Sequence, residues 1–362
     1  MGTPNSQVFL LNTRTPWDEP PRARHQLAHA LAEKGKVVFV AANSYGRPGL
    51  RTIEATRDLT VVVPSWPMHH RRRYRLPLAN ELYQRWLFPK LARQFRTRFV
   101  LNFDHTATHL FSYFADVSYY CNDYHIRNYG SEAVRSYFER SEKTVAGLAR
   151  SCIATCAYLR DRLSQWNPRS VEVRLGAPEI SEAPVRRFAK EEVIRVALVD
   201  FLSTKKTSFE ILERLSSDPR LRVTAYGPTT PEAKERLRAL PGVEWRGVLA
   251  GDELRRALAQ SDVGIAPYGS DDDNPGRTPN KLWHYLAAGL PCVTTDIPGI
   301  REWKFKDGLV YRASGRAAFH EQVLRAHAED SPEKALRRYQ YSQQNTWGVR
   351  ADEIVRFLEG SG

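Results

Sequence analysis

Short apolar runs alternate with helix-period segments along almost the whole chain, and that alternation leaves few folds open. QVFLLN (7–12), KVVFVAA (36–42), DLTVVVP (58–64), RTRFVLNF (96–103), VSYYCN (117–122), SCIATC (151–156) and VEVRLG (171–176) read as strands. PRARHQLAHALAEKG (21–35) puts Ala23, Leu27, Ala30 and Leu31 on one helical face and stops at Gly35. SEAVRSYFERSEKTVAGLAR (131–150) and AYLRDRLSQW (157–166) are further helices, and THLFSYFA (108–115) is expected to join them. Repeated strand–helix–strand units imply a parallel sheet covered on both faces.

The second half repeats the pattern: VIRVALVDF (193–201), SFEILERLSS (208–217), RLRVTAYGP (220–228), PEAKERLRAL (231–240), then VEWRGV, GDELRRALAQ, VGIAPY and PCVTTD. Between the halves, residues 177–192 (APEISEAPVRRFAKEE) carry two prolines, many charges and little periodicity, as a linker does. The expected organisation is α/β: one doubly wound domain over 1–176, the linker, and a second doubly wound domain over 193–340, facing the first across a cleft. A closing helix within 341–362 is expected to cross back to the first domain. A length of 362 residues suits two such cores.

Asp262 to Asp296, DVGIAPYGSDDDNPGRTPNKLWHYLAAGLPCVTTD, is the most informative stretch: strand, polar loop, helix, glycine, strand. Thr278 is the expected N-cap, Pro279 the first helical residue, and Gly289 the stop. Loop and helix start then lie at the carboxyl end of a strand, where open α/β sheets bind ligands. Free amides at the helix start favour an anion, and Arg277 and Lys281 add positive charge. Lys281 and His284, three apart, share a helix face. Lys205 and Lys206 lie in another carboxyl-end loop. A solvated basic surface is the competing reading of all these cations.

The net charge of +13 calls for a partner of opposite sign. Met68 to Arg98 holds nine Lys/Arg against Glu81 alone, interleaved with Tyr74, Tyr83, Trp86, Leu87, Phe88, Leu91 and Phe95. Such a stretch suits an anionic membrane surface or an ordinary packed surface helix, and nucleic acid is not expected. No apolar run approaches the roughly 20 residues that span a bilayer, and the N-terminus lacks a signal-peptide pattern. Cys121, Cys152, Cys156 and Cys292 form no CxxC pair and read as buried thiols. His25/His29 and His105/His109 lack the glutamate of HExxH, so no metal site is assigned to them. The run Asp271-Asp272-Asp273 is read as solvated, or as a loop that closes over substrate, ahead of a cation-binding DxD motif.

DELRRALAQSDVGIAPY…TPNKLWHYLAAGLPCVTTD resembles the C-terminal domain of GT-B glycosyltransferases, in which a P-x-K-x-x-E-Y-L-A-x-G-x-P-V-V run holds the sugar nucleotide. EKTVAGLARSCIATCAYLRDRLSQW, LRVTAYGP, WDEPPRARHQLAHALAEKGKVVFV and NTWGVRADEIVRFL are similar to other parts of that fold. The chain resembles in particular bacterial cell-surface polysaccharide transferases of the xanthan-type glucuronosyltransferase and teichuronic-acid kinds. The resemblance implies two Rossmann-like domains and a nucleotide-sugar donor, a UDP-sugar first, with no metal required. It implies a glycan or lipid-linked acceptor, and a cytoplasmic enzyme at the inner face of the membrane. Donor binding falls to Lys205, Lys206, Gly227, Tyr268, Arg277, Thr278, Pro279, Asn280, Lys281 and His284. Three positions depart from the family: His284 stands for its usual Glu, Gly276 where many members have another Glu, and Asp200 where glycine is usual.

Transfer to a hydroxyl with inversion needs a base. Asp123 and His125, after a strand of the first half, are the leading candidates. Asp18 and Glu19 come next, beside Trp17 as a sugar platform, and then Asp104 and His105. A sugar-nucleotide epimerase and a non-catalytic scaffold or sensor on the same fold are the alternative functions.

Overall fold

The structure, a computed structural model, describes residues 7–124, 126, 131–186, 188, 192–269, 275–301, 303 and 308–360. It divides into two compact units, Met1–Leu175 with Trp347–Gly362, and Gly176–Thr346.

The first unit runs β1 (Val8–Asn12), α1 (Ala23–Ala32), β2 (Lys36–Val40), β3 (Ser44–Tyr45), β4 (Gly49–Thr56), β5 (Leu59–Trp66), α2 (His70–Arg73), α3 (Pro77–Gln94) and β6 (Phe99–Asn102). It continues with β7 (Val117–Cys121), α4 (Glu132–Leu148), β8 (Ser151–Ala154), α5 (Ala157–Ser164) and β9 (Ser170–Glu172). The sheet order is β3-β5-β2-β1-β6-β7-β8-β9, with β4 paired to β5. Chain order reverses between β1 and β6, so their carboxyl ends flank the switch point.

Two expectations need correction here. The sheet is not wholly parallel, because β4 folds back antiparallel on β5. Its residues, GLRTIEAT, are mostly exposed, so β4 carries none of the apolar signal that marks a buried strand. Residues 108–112 form a 3-10 turn and not an α-helix. With only a turn and a half before Phe114 must pack, the segment is too short to repay helix nucleation.

The aromatics of the basic stretch are largely core. Tyr83, Leu87, Phe88 and Leu91 of α3 pack on Leu10, Val38, Val62 and Val100, and Tyr74 belongs to the cluster formed by α4, α5, β7 and β8. Arg73, only 1% exposed, lies between the rings of Tyr74 and Tyr83 and bonds Asn43 and Asn80. What faces out is Leu76, Leu78 and Leu82, at 50%, 77% and 62% exposure, among exposed Arg71, Arg72, Arg75 and Arg85.

The second unit runs β10 (Ile194–Val199), α6 (Phe209–Ser216), β11 (Leu221–Tyr226), α7 (Pro231–Arg238), β12 (Val243–Trp245), α8 (Gly251–Ala259) and β13 (Val263–Ala266). Then come α9 (Lys281–Ala287), β14 (Cys292–Thr295), α10 (Pro298–Arg301), β15 (Val310–Ala313), α11 (Arg316–Ala328) and α12 (Pro332–Gln343). The sheet is parallel, in the order β12-β11-β10-β13-β14-β15, with its switch point between β10 and β13. Tyr285 of α9 is wedged there: its hydroxyl accepts from Val199 N at 2.8 Å and donates to Ile265 O at 2.9 Å. The ring lies over Gly264, where a Cβ would fall 2.5 Å from it.

Residues 176–186 belong to this second unit. Ala177 N donates to Asn345 O, Ile180 N to Gln343 Oε1, and the buried Arg186 guanidinium donates to the carbonyls of Gly289, Ser261 and Asp262. Arg338 also donates to Gly289 O, so two cations sit on the carbonyl end of α9 and complement its dipole. Asp330 bridges both arginines and offsets one of their two charges.

The chain then returns to the first unit as α13 (Trp347–Gly360), which packs along α1 and is tied by Lys34–Asp352 at 2.9 Å and Gln7–Glu359 at 2.6 Å. All four cysteines are buried free thiols.

Candidate functional site

The carboxyl ends of β10 and β13 gather a group of charges. Asp200 follows β10, Tyr268 follows β13, and Lys281 begins α9. Lys281 Nζ is ion-paired with Asp200 and lies 4.4 Å from the centre of the Tyr268 ring. The Arg277 guanidinium is 5.4 Å from the same ring. Burial lowers the Lys281 ammonium pKa despite Asp200, and nearby Arg277 and Lys206 lower it further, so three cations share a small volume with one carboxylate.

The backbone is built to hold this group. The β10–α6 loop is pinned to the β13 loop by Ser208 N to Pro267 O and Gly269 N to Lys206 O, at 2.8 and 3.0 Å. Thr295 Oγ1 accepts from Tyr268 N and donates to Tyr268 O. Gly227, at φ +124°, lies under the Asp200 carbonyl, 1.9 Å from where a Cβ would stand, so this strand end admits only glycine. Gly299 meets the Arg277 carbonyl in the same way.

The expected residues divide. Lys206, Tyr268, Arg277 and Lys281 come together, while Lys205 is exposed beside them. Thr278 is not the N-cap: α9 starts at Lys281 after Asn280, and Pro279 is buried before it. The amides of Leu282 and Trp283 bond back to Pro279 O and Asn280 O, which leaves fewer first-turn donors for an anion than a helix starting at Thr278. Asn280 Oδ1 is buried with no hydrogen-bond partner among the described residues. His284 is partly buried one turn along α9, and burial pushes its imidazole down to about 4, so it is neutral at physiological pH.

Sequence reasoning treated Asp200 only as a departure from the family. The structure makes it the partner of Lys281, a pairing 81 residues apart that no local pattern signals.

In the first unit, Asp123 follows β7, close enough to Arg24 to feel its charge. His125 lies outside the described residues, as does Asp271–Asp273. Asp18 is exposed, whereas neighbouring Glu19 is partly buried, is ion-paired with Arg22 at 2.8 Å, and has its carboxyl pKa raised, chiefly by burial. Asp104 is buried and caps a turn through Thr106 N and Oγ1, so it serves structure. Trp17 packs on His25, His29 and Phe39, and does not stand out as a sugar platform. A cavity of about 280 Å³ opens among Arg14, Glu19, Arg22, Arg24, Arg71 and Arg75. The larger cavity of the second unit, about 620 Å³, spreads across β11, β12 and α8, with Arg222, Tyr226, Arg246 and Gln260 in its lining.

Residues 206–329 match the family described as Glycosyl transferases group 1. The second unit carries a glycosyltransferase group 1 domain. The matched span contains Lys206, Tyr268, Arg277, Lys281 and His284. A 64-residue stretch is 38% identical to "Putative teichuronic acid biosynthesis glycosyltransferase TuaH" of Bacillus subtilis (strain 168), covering 18% of this chain and 16% of that protein. The fold is similar to sucrose-phosphate synthase (tll1590) from Thermosynechococcus elongatus, with TM-score 0.76, 13% identity and 98% of each chain covered. It is also similar to Anabaena Alr3699/HepE in complex with UDP-glucose, with TM-score 0.70, 12% identity, and 98% of this chain and 99% of that one covered. The architecture is GT-B, each unit a doubly wound α/β domain with its own switch point.

Proposed function

We propose that this protein is a glycosyltransferase that moves a sugar from a nucleotide-sugar donor, a UDP-sugar first, to a glycan or lipid-linked acceptor in cell-surface polysaccharide biosynthesis. The observation that carries this reading is the charge group at the β10–β13 switch point, whose three cations, Lys206, Arg277 and Lys281, lie inside the span matched by the group 1 family. Lys206, Arg277 and Lys281 against Asp200 leave a net excess of two positive charges. A sugar-nucleotide diphosphate carries two negative charges. The UDP-glucose complex of Alr3699/HepE supports the uridine donor, and the TuaH likeness supports the polysaccharide role.

In the reaction the bond from the sugar C1 to the diphosphate oxygen breaks, and the oxygen leaves with the electron pair as nucleoside diphosphate. The cations stabilise that charge as it develops, work done by a metal ion in other enzymes. A bond forms from C1 to the acceptor oxygen, whose proton passes to a base, a role proposed for Asp123 in the first place and for Asp18 or Glu19 in the second. Asn280 Oδ1, buried and unpartnered among the described residues, accepts a donor hydroxyl, and neutral His284 bonds another. The exposed edge of Leu76, Leu78 and Leu82, flanked by Arg72 and Arg85, seats the enzyme on the anionic inner face of the membrane.

Titration calorimetry with UDP-, GDP- and TDP-glucose tests the donor site. UDP-glucose is expected to bind, and Arg277→Gln to weaken it by about tenfold or more. Binding of none of the three at millimolar concentration would sink the enzyme reading.

A further inference from the structure

The first unit holds a second concentration of positive charge, independent of the donor site. Among the described residues, five guanidinium groups line the cavity of about 280 Å³ at the carboxyl end of its sheet, and Glu19 is the one carboxylate in the lining. Glu19 is already ion-paired with Arg22. His70, in the same wall, is held neutral by burial, which pushes it down to about 4.

Local rules do not explain this arrangement. Arg22 and Arg24 stand at the start of α1, where the helix dipole is positive, and its first turn has no acid. Arg24 donates to neutral acceptors, Thr15 Oγ1 at 2.6 Å and Asn122 Oδ1 at 2.8 Å. Its Nε is buried without a hydrogen-bond partner among the described residues. Burial, with Arg14 and Arg22 beside it, holds the Arg24 guanidinium down to about 10. Arg14 is stacked 3.9 Å over the Tyr74 ring, which fixes its plane against the cavity wall. Sites that break local rules in this way are expected to serve a ligand.

We propose that this cavity binds a phosphate group carried by the acceptor. The inference rests on the glycosyltransferase reading for the word acceptor, but the site itself does not. Several guanidinium groups facing one carboxylate suit a multiply charged anion, and guanidinium forks match phosphate oxygens in pairs. The volume exceeds what a phosphate alone fills and leaves room for an attached sugar. Asp123 is near enough to Arg24, in the cavity lining, to act on its charge. Two sources share this chemistry: a soluble sugar phosphate and a phosphorylated lipid.

Full-length protein is titrated with glucose 6-phosphate, glucose and UDP in separate calorimetry experiments. Glucose 6-phosphate is expected to bind and glucose not to. Arg71→Gln/Arg75→Gln is expected to weaken the phosphate ester by about tenfold or more and leave UDP unchanged. Arg51→Gln/Arg57→Gln, an equal charge change on exposed β4 and its turn, is expected to leave glucose 6-phosphate binding intact. Vesicles of phosphatidylcholine with phosphatidic acid then compete. Displacement of glucose 6-phosphate assigns the site to a lipid phosphate, and no displacement assigns it to a soluble one. Equal binding of glucose and its phosphate would overturn the proposal, as would equal losses in the two double variants. UDP binding without phosphate binding ends this inference and spares the donor site. Phosphate binding without UDP binding does the reverse.

Discussion

At the scale of single residues, burial sets the charge state of the polar groups around both sites. His70 and His284 are each pushed down to about 4 by burial, against an unfolded value of about 6.5. As pH falls through that window the unfolded chain takes up protons that the folded chain refuses. Stability is therefore full above about pH 6.5 and declines toward about pH 4, with a slope of up to about two protons. Urea melts across this range should show the decline, and His70→Gln/His284→Gln should flatten it. An unchanged slope in the double variant would mean that neither ring stays neutral in the fold. Lys281 teaches the same lesson with the opposite charge. Its type and position were legible, but its commitment to Asp200 depends on a strand end far away in sequence.

At the scale of elements, α3 separates two roles that its composition mixes. Tyr83, Leu87, Phe88 and Leu91 face the core, while Leu78 and Leu82 face outward. Leu87→Ala should cost roughly 2–5 kcal/mol of stability. Leu78→Ser/Leu82→Ser should shift the melting temperature little and reduce sedimentation with anionic vesicles several-fold. Vesicle binding that survives the double serine variant would remove the leucine edge from the membrane reading. The sequence showed a basic, aromatic-rich segment but not its orientation. Arg73 shows why: an arginine among tyrosines reads as surface charge, yet here its guanidinium is buried between two rings and satisfied by two asparagines. Short α9 is a related case. Threonine and proline signal a helix start at Thr278, but the Arg277 backbone packs against Gly299 and the helix begins only at Lys281.

At the scale of the whole molecule, α13 completes a unit begun more than 300 residues earlier. It buries Trp347, Ala351, Ile354 and Leu358, and fully burying each large apolar side chain contributes about 1.5–3 kcal/mol. That sum is on the order of a domain's entire stability. Deleting residues 347–362 should leave amide protection in Gly176–Thr346 intact and abolish it in β1, β2 and α1, as read by hydrogen-exchange mass spectrometry. Protection retained in α1 would show that the first unit stands without its returning helix.

Alternation of apolar runs and helical periods determined the α/β class and most of the strands, because a buried parallel strand must be apolar along its length. It also placed cations at carboxyl-end loops. It did not reveal β4, whose exposed edge needs no apolar pattern, nor the strapping of residues 176–186 through Arg186. Nor did it separate structural arginines from those lining a cavity. Those outcomes depend on which side chains meet after the chain has crossed over itself, and burial and ion pairing are properties of that meeting. Tertiary structure alone decided that Asp200 answers Lys281, and that Arg14, Arg24 and Arg71 share one cavity.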